Sequence, residues 1–148
     1  PGYGKQNSPH VHPPAFPKQE TVIKSFPEVK AVAEIQNSIL LLALDKTSPN
    51  QGKQFIQSFF DHPKFSTVEI VIVLEGHVDL TNISIVMWKF LNNIDPKRDF
   101  HFEGDRLGID ATKKFREEGY QQNWPEEIEM TAEIKTKVDN KWDNFFKG

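Results

Sequence analysis

The run from Val68 to Leu74, Val-Glu-Ile-Val-Ile-Val-Leu, constrains the fold more than any other feature. Only Glu69 interrupts its apolar side chains, and most of them are β-branched. A segment apolar on both sides suits a strand covered on both faces, as in the parallel layer of an α/β domain. The turn-like stretch Glu75-Gly76-His77-Val78-Asp79 follows it. Ile83, Val86, Met87, Phe90, Leu91 and Ile94 then recur at helical spacing and make a wide apolar stripe. Asp79 or Thr81 is placed to cap that helix. Asp95-Pro96 stops it, because proline disfavours helical backbone in the residue before it. Strand, turn and helix in this order form the repeating unit of an α/β layer.

The flanking segments extend the pattern. Val29, Ala31, Ala33 and Ile35 alternate with Lys30, Val32 and Glu34, which predicts a strand with one wetter face. Gln36-Asn37-Ser38 reads as a turn, and Ile39 to Leu44 is continuously apolar, so the two strands form a hairpin. Ser48-Pro49 reads as a helix start, Phe55, Ile56, Phe59 and Phe60 share one helical face, and His62-Pro63 ends the helix. Phe100 to Phe102 reads as a short strand and Glu103 to Pro125 as irregular. A last helix is expected from about Pro125 to Phe146, with Met130, Ile134, Val138, Trp142 and Phe145 as a narrow stripe. The predicted architecture is a single α/β domain over residues 28–124 in ββαβαβ order. Its sheet is mixed and largely parallel, with flanking helices and a long C-terminal helix over 125–148. Residues 1–27 hold six of the ten prolines, which fix φ and lack a donor, so this segment reads as linker or tail.

A chain of 148 residues is long enough for one domain with a real core. Its net charge of -3, without a basic block, argues against nucleic acid as a partner. It has no cysteine, which excludes disulfides, thiolate metal sites and a cysteine nucleophile, and agrees with a cytoplasmic location. No apolar run reaches the length of a transmembrane helix. The start at Pro-Gly-Tyr-Gly, with neither an initiator Met nor a signal peptide, reads as a piece cut from a longer polypeptide.

Chemistry-bearing residues are sparse. His10 and His12 could sit on one side of an extended chain, but zinc needs three or four ligands and His62, His77 and His101 lie in distant segments. A flexible tail outweighs a metal role there. His77, flanked by Glu75 and Asp79 at a strand's carboxyl end, could be a tuned base; a tight turn and helix cap explain the stretch better. Arg98 and Arg106 could grip a carboxylate or phosphate, although Asp95 and Asp99 offer Arg98 a local ion pair. Asp110 and Thr112 favour a structural role. Glu117, Glu118, Glu126, Glu127 and Glu129 read as a solvated face. No phosphate-binding glycine loop or nucleophile elbow is present. The terminal stripe must bury Trp142 and Phe145 against its own domain or a neighbouring subunit; both remain open.

Taken together, several motifs resemble one family. These are the strand ending before Val78-Asp79, Trp88 in the following helix, Asp95-Pro96-x-Arg98-Asp99, Gly108-x-Asp110-Ala111-Thr112-x-Lys114, and Val138-Asp-x-x-Trp142. Their order, from about Glu28 to the end, resembles the C-terminal domain of the UbiD family of prenylated-FMN-dependent decarboxylases. The spelling around Asp95 and Gly108 is most similar to the menaquinone-pathway branch. The resemblance implies a full-length carboxy-lyase acting on an unsaturated or aromatic acid in quinone biosynthesis. It would use prenylated FMN with a divalent metal, often manganese, and potassium. The family's catalytic glutamate–arginine–glutamate set belongs to a preceding cofactor-binding domain, and no stretch here matches it, so no catalytic, cofactor-binding or metal residue is assigned to this fragment. The resemblance further implies that Met130, Ile134, Val138, Trp142 and Phe145 build contacts in a homo-oligomer, and that the domain helps wall the substrate pocket. The whole enzyme would be cytoplasmic or membrane-associated. Departures are Glu75-Gly76-His77 in place of an acidic run, a short Asp99-to-Gly108 connection, and Pro49-Asn-Gln-Gly52 in place of Pro-Gly-His; they bear on the substrate. The alternative from another class is a small ligand-binding regulatory α/β module with His77 near its ligand edge. A standalone hydrolase or transferase is a third reading, disfavoured by the missing nucleophile motif.

Overall fold

The computed structural model describes residues 17–36 and 38–118. Five strands form one mixed sheet in the order β1-β2-β3-β5-β4. Strand β1 (Val29–Ile35) pairs antiparallel with β2 (Ile39–Leu44), from Val29 opposite Leu44 to Ile35 opposite Ile39. Strand β3 (Ile70–Glu75) lies parallel to β2 and to β5 (Arg106–Asp110), and β4 (Phe100–Glu103) closes the other edge antiparallel to β5. The three central strands are therefore parallel, and both edges are antiparallel additions. The helices are α1 (Gln19–Ser25), α2 (Gln51–Asp61), α3 (Ile83–Asn93) and the single-turn α4 (Pro96–Asp99).

The two sheet faces follow from strand alternation. Leu40, Leu42, Leu44, Val71 and Val73 face α1 and α2 and join Val22, Phe55, Ile56, Phe59 and Phe65 in one core. Leu41, Ala43, Leu74 and Ala111 face the other way and pack with Val78, Leu80 and Val86. The first core is aromatic: Phe59 and Phe65 stack at 4.7 Å, and Phe26 meets Phe55 edge-on at 5.1 Å. Burying each such ring stabilises the fold by about 1.5–3 kcal/mol.

The α/β architecture and the β1–β2 hairpin agree with the sequence reading. Four local expectations need correction. Residues 19–25 form α1 instead of tail, with Val22 at 0% exposure; seven residues between Pro17 and Pro27 are too few to show helical periodicity, and packing supplies the stability. The segment from Glu103 is not irregular: it contains β5, a central strand. The polar ends of Arg106-Leu-Gly-Ile-Asp110 and its internal glycine mask a strand whose partners β3 and β4 flank it on both sides. Helix α2 starts at Gln51, not at Ser48-Pro49; its N-cap is Asn50, held at φ 59 without a side-chain cap. Helix α3 is capped by Asn82, which accepts from the Ile85 amide, while Asp79 is engaged with the amide and hydroxyl of Thr81.

The expected apolar stripe of α3 is also only partly inward. Val86 is buried, but Ile83, Met87 and Leu91 are exposed. The predicted helix over 125–148, with Met130, Ile134, Val138, Trp142 and Phe145, lies outside the described residues, as do His10 and His12.

Candidate functional site

Parallel strands deliver the residues that follow them to one edge of the sheet, which is where open α/β sheets hold ligands. Here β2 delivers Lys46, β3 ends on Glu75, and β5 ends on Asp110 with Thr112 and Lys114 beyond it. Helix α4 brings Arg98 and Asp99 to the same place. The two segments singled out by resemblance therefore meet in space.

They meet at Lys114. Its side chain is 3% exposed and lies 3.2 Å from Asp110 Oδ1 and 3.5 Å from Asp99 Oδ1. The ammonium also donates to the backbone carbonyls of Asp110 and Thr112 at 2.8 and 2.7 Å. Asp110 Oδ1 accepts from the Thr112 amide and hydroxyl at 3.0 and 2.5 Å. Asp99 accepts from Arg98 Nε and Nη2 at 2.8 and 2.7 Å and from the Asp95 amide at 2.7 Å. Asp95 in turn caps α4 by accepting from the Lys97 amide, and Pro96 occupies the first helical position. Ala111, fully buried, donates to the Val73 carbonyl and accepts from Asn93 Nδ2.

A second knot adjoins the first. Lys46 Nζ donates to both oxygens of Glu118 at 2.8 Å, to Thr112 Oγ1 at 3.2 Å and to the Lys113 carbonyl at 3.0 Å. Glu118 also accepts from the Asn50 amide at 2.7 Å and from the Phe115 amide. Both side chains of the pair are 4% exposed. Glu118 is thus not on a solvated face, as its glutamate-rich surroundings suggested; Glu117 is. Lys46 escaped the sequence reading and Gly52 entered it only as a departure from the family's Pro-Gly-His, because no local spacing ties either to residues more than fifty positions away.

Glycines set the approach of α2 to these strands. A Cβ on Gly52 would lie 2.4 Å from Asp110 Oδ2, and one on Gly108 would lie 2.2 Å from Ile56 Cγ2. Gly52 lets the first turn of α2 close over the Asp110 carboxylate, where the helix dipole favours negative charge.

The electrostatics follow from this wiring. Burial pushes Asp99 up, but the hydrogen bonds from Arg98 and Asp95 and the nearby Lys114 charge outweigh it, and its carboxyl lies below the usual range. Burial likewise raises Glu118, and the Lys46, Phe115 and Asn50 donors more than reverse it. Burial, with the Lys53 charge second, holds His101 below the ordinary imidazole value. Carboxylates saturated by cations and depressed in pKa are poor general acids or bases at neutral pH. The cluster encloses about 100 Å³ between Asn50, Lys53, Arg98, Asp99, His101, Asp110, Lys114 and Glu118. Lys53 and His101 also line a larger groove of about 460 Å³ between α2 and β4, walled by Ile56, Phe60, Phe100 and Phe102.

The remaining candidates scatter. Arg106 does not grip an anion: its guanidinium donates to the carbonyls of Val68, Phe60 and Phe65 at 2.8–2.9 Å and stacks over Phe60 at 4.0 Å. His77 is exposed in its turn, and it lines neither cavity. Trp88 stands on the outer side of α3, 56% exposed and apart from the ion cluster. Among the described residues no group of three or more His, Cys, Asp or Glu could hold a metal ion, and no helix is long and apolar enough to cross a membrane.

The sequence and the fold both match a known class. The model of the 3-octaprenyl-4-hydroxybenzoate carboxy-lyase C-terminal domain fits residues 14–119, and the chain belongs to that family. An uncharacterized protein of Archaeoglobus fulgidus is 32% identical over 72% of this chain and 26% of its own length. One of Aquifex aeolicus is 36% identical over 72% and 25%. The chain therefore spans about a quarter of the curated relatives it matches. In fold it is similar to the vanillic acid decarboxylase of Sedimentibacter hydroxybenzoicus in closed form, with a TM-score of 0.64 at 18% identity, covering 84% of this chain and 31% of that one. It is also similar to an evolved dimeric form of the UbiD-class enzyme HmfF from Pelotomaculum thermopropionicum in complex with prFMN. There the TM-score is 0.56 at 20% identity, covering 76% and 27%.

Proposed function

We propose that this chain is the assembly and pocket-completing part of a UbiD-class decarboxylase that acts on an aromatic or unsaturated acid in quinone biosynthesis. One observation carries the reading beyond family membership. Every carboxylate that the two motif segments bring to the sheet edge is engaged by cations and amides inside the domain, so none is poised for proton transfer. The bond-breaking chemistry then falls to prenylated FMN, which serves as the electron sink, with its manganese and potassium, on the preceding part of the same polypeptide. The described residues do not suit those groups: they offer no metal-ligating cluster, and no step is assigned to them.

The reading has a direct test. The 148-residue chain alone is expected to leave an aromatic acid intact and to bind FMN no more tightly than millimolar, while the complete polypeptide loaded with prenylated FMN releases carbon dioxide. Micromolar FMN binding by the isolated chain, or turnover by it, would defeat the proposal. For assembly, Trp142→Ala with Phe145→Ala is expected to lower the oligomer mass seen by light scattering. If the stripe packs at home, the melting temperature falls instead, by the equivalent of about 3–5 kcal/mol per ring.

A further inference from the structure

Strand β4 is an edge strand. Among the described residues it pairs only with β5, so one row of its backbone donors and acceptors faces outward. Four successive residues of it, Phe100 to Glu103, line the groove of about 460 Å³ beside α2. Side chains alternate between faces along a strand, so a groove that touches all four runs along the open edge. Lys53 and Asp61 mark its two ends on α2. They stand about 12 Å apart along the helix axis, the span of about three to four extended residues. Ile56, Phe60 and the 73%-exposed Phe102 wall the middle.

The ends carry opposite charge. At one lie Lys53 and His101, whose Nε2 is buried and has no hydrogen-bond partner among the described residues. Both residues also line the chamber of about 100 Å³ in the ion cluster. There Asp99, Asp110 and Glu118 are matched by Arg98, Lys114 and Lys46, and Lys53 has no ion-pair partner among the described residues. At the other end lie Asp61 and Glu103. Arg106 is near enough for its charge to act on both, but it donates to the carbonyls of Val68, Phe60 and Phe65. Among the described residues neither carboxylate has a hydrogen-bond or ion-pair partner.

We infer that this groove receives the carboxyl terminus of an extended peptide added antiparallel to β4. Its terminal carboxylate lies at Lys53 and His101, and a cationic side chain about three residues earlier lies at Asp61 and Glu103. Charge sets the direction. Strand β4 runs from the Lys53 end, where His101 feels the Lys53 charge, to the Asp61 end at Glu103. A chain with its carboxylate at Lys53 therefore runs the opposite way. Volume selects a chain end over a segment that continues in both directions. A chamber of about 100 Å³ has the room of about three waters, which suits a carboxylate and excludes a further residue. Strand addition supplies main-chain hydrogen bonds along β4, and an apolar side chain between the two ends covers Phe60 and Phe102. Such capture is independent of the decarboxylase chemistry proposed above.

The test is a titration of the nitrogen-15-labelled 148-residue chain, followed by NMR. The probe is the acetylated tetrapeptide lysyl-threonyl-phenylalanyl-valine with a free carboxylate. Amide shifts are expected along β4 and α2, with a Kd on the order of 100 micromolar. Amidating the peptide's end, replacing its lysine by glutamate, and Lys53→Met in the protein should each weaken binding about fivefold to tenfold. Lys24→Met, on α1 at the other edge of the sheet, should leave binding unchanged. Lys53 is exposed, so the thermal melt of Lys53→Met is expected to be retained. Should that variant fail to fold, the amidated peptide against the unaltered chain decides. No shifts at millimolar peptide, shifts confined to another surface, or unchanged affinity in folded Lys53→Met would each overturn the inference. Equal binding of the amidated peptide would overturn it as well, because an internal segment would then fit as well as a chain end. All four outcomes leave the decarboxylase reading standing.

Discussion

At Gly108 a single missing methyl group decides how α2 meets the sheet. The glycine lies in central strand β5 directly under Ile56, and a Cβ there would sit 2.2 Å from Ile56 Cγ2. Gly108→Ala is therefore expected to destabilise the domain by about 1–3 kcal/mol, the cost of overpacking a close contact. A urea melt at constant slope would check it; an unchanged midpoint would mean that Ile56 moves aside freely. Lys46 and Glu118 pose the opposite problem, a matched pair shut away from water. Lys46→Met leaves the Glu118 carboxylate with amides alone, and removing one partner of a buried pair costs about 3–5 kcal/mol. Combining Lys46→Met with Glu118→Leu should recover part of that loss, because no orphan charge remains. A double-mutant cycle measures the recovery, and simple additivity of the two single losses would show that the pair is not coupled.

Helix α1 shows how an element can be invisible in sequence and still be integral. Its only fully inward residue is Val22, and Phe26 just beyond its end touches Phe55, Phe59, Phe65 and His62. Phe26→Ala is expected to cost about 3–5 kcal/mol and to speed amide exchange in residues 19–25 ahead of the sheet. Exchange that stayed as slow as in β2 would argue that α1 is held by other contacts. Strand β5 was hidden for a different reason. Its burial deepens along its length, from half-buried Arg106 and Leu107 to fully buried Asp110, so it has neither alternation nor an apolar run. By contrast β2 and β3 were legible at once, because a strand covered on both faces is written as continuous apolar sequence.

Across the whole molecule, acid should act through the locked edge. Asp99 and Glu118 both titrate below their ordinary values of 3.8 and 4.5 in the fold. A group with a depressed folded pKa contributes stability that is complete above its unfolded value and is lost as pH falls through its folded value. The melting temperature is thus expected to hold steady from neutral pH down to about 5 and to fall steeply below about 4.5. Glu118→Gln should flatten part of that fall, and an equal acid slope in the variant would remove Glu118 from the account. Of the candidate site, the two motif segments were legible through their resemblance to a family, but their meeting at Lys114 was not. Local sequence carries no term for a contact between α4 and the loop after β5.

The β1–β2 hairpin, the buried strands β2 and β3 with helices α2 and α3 around them, and the family resemblance were legible in the sequence alone, since periodicity, proline and glycine placement, and short motifs act over a few neighbouring residues. The tertiary structure alone decided that the motif carboxylates are neutralised in place, that Glu118 is locked under Lys46, and that α3 presents its apolar side to the outside. Each of these depends on which distant side chains share a low-dielectric space, and that is a property of packing rather than of any one segment.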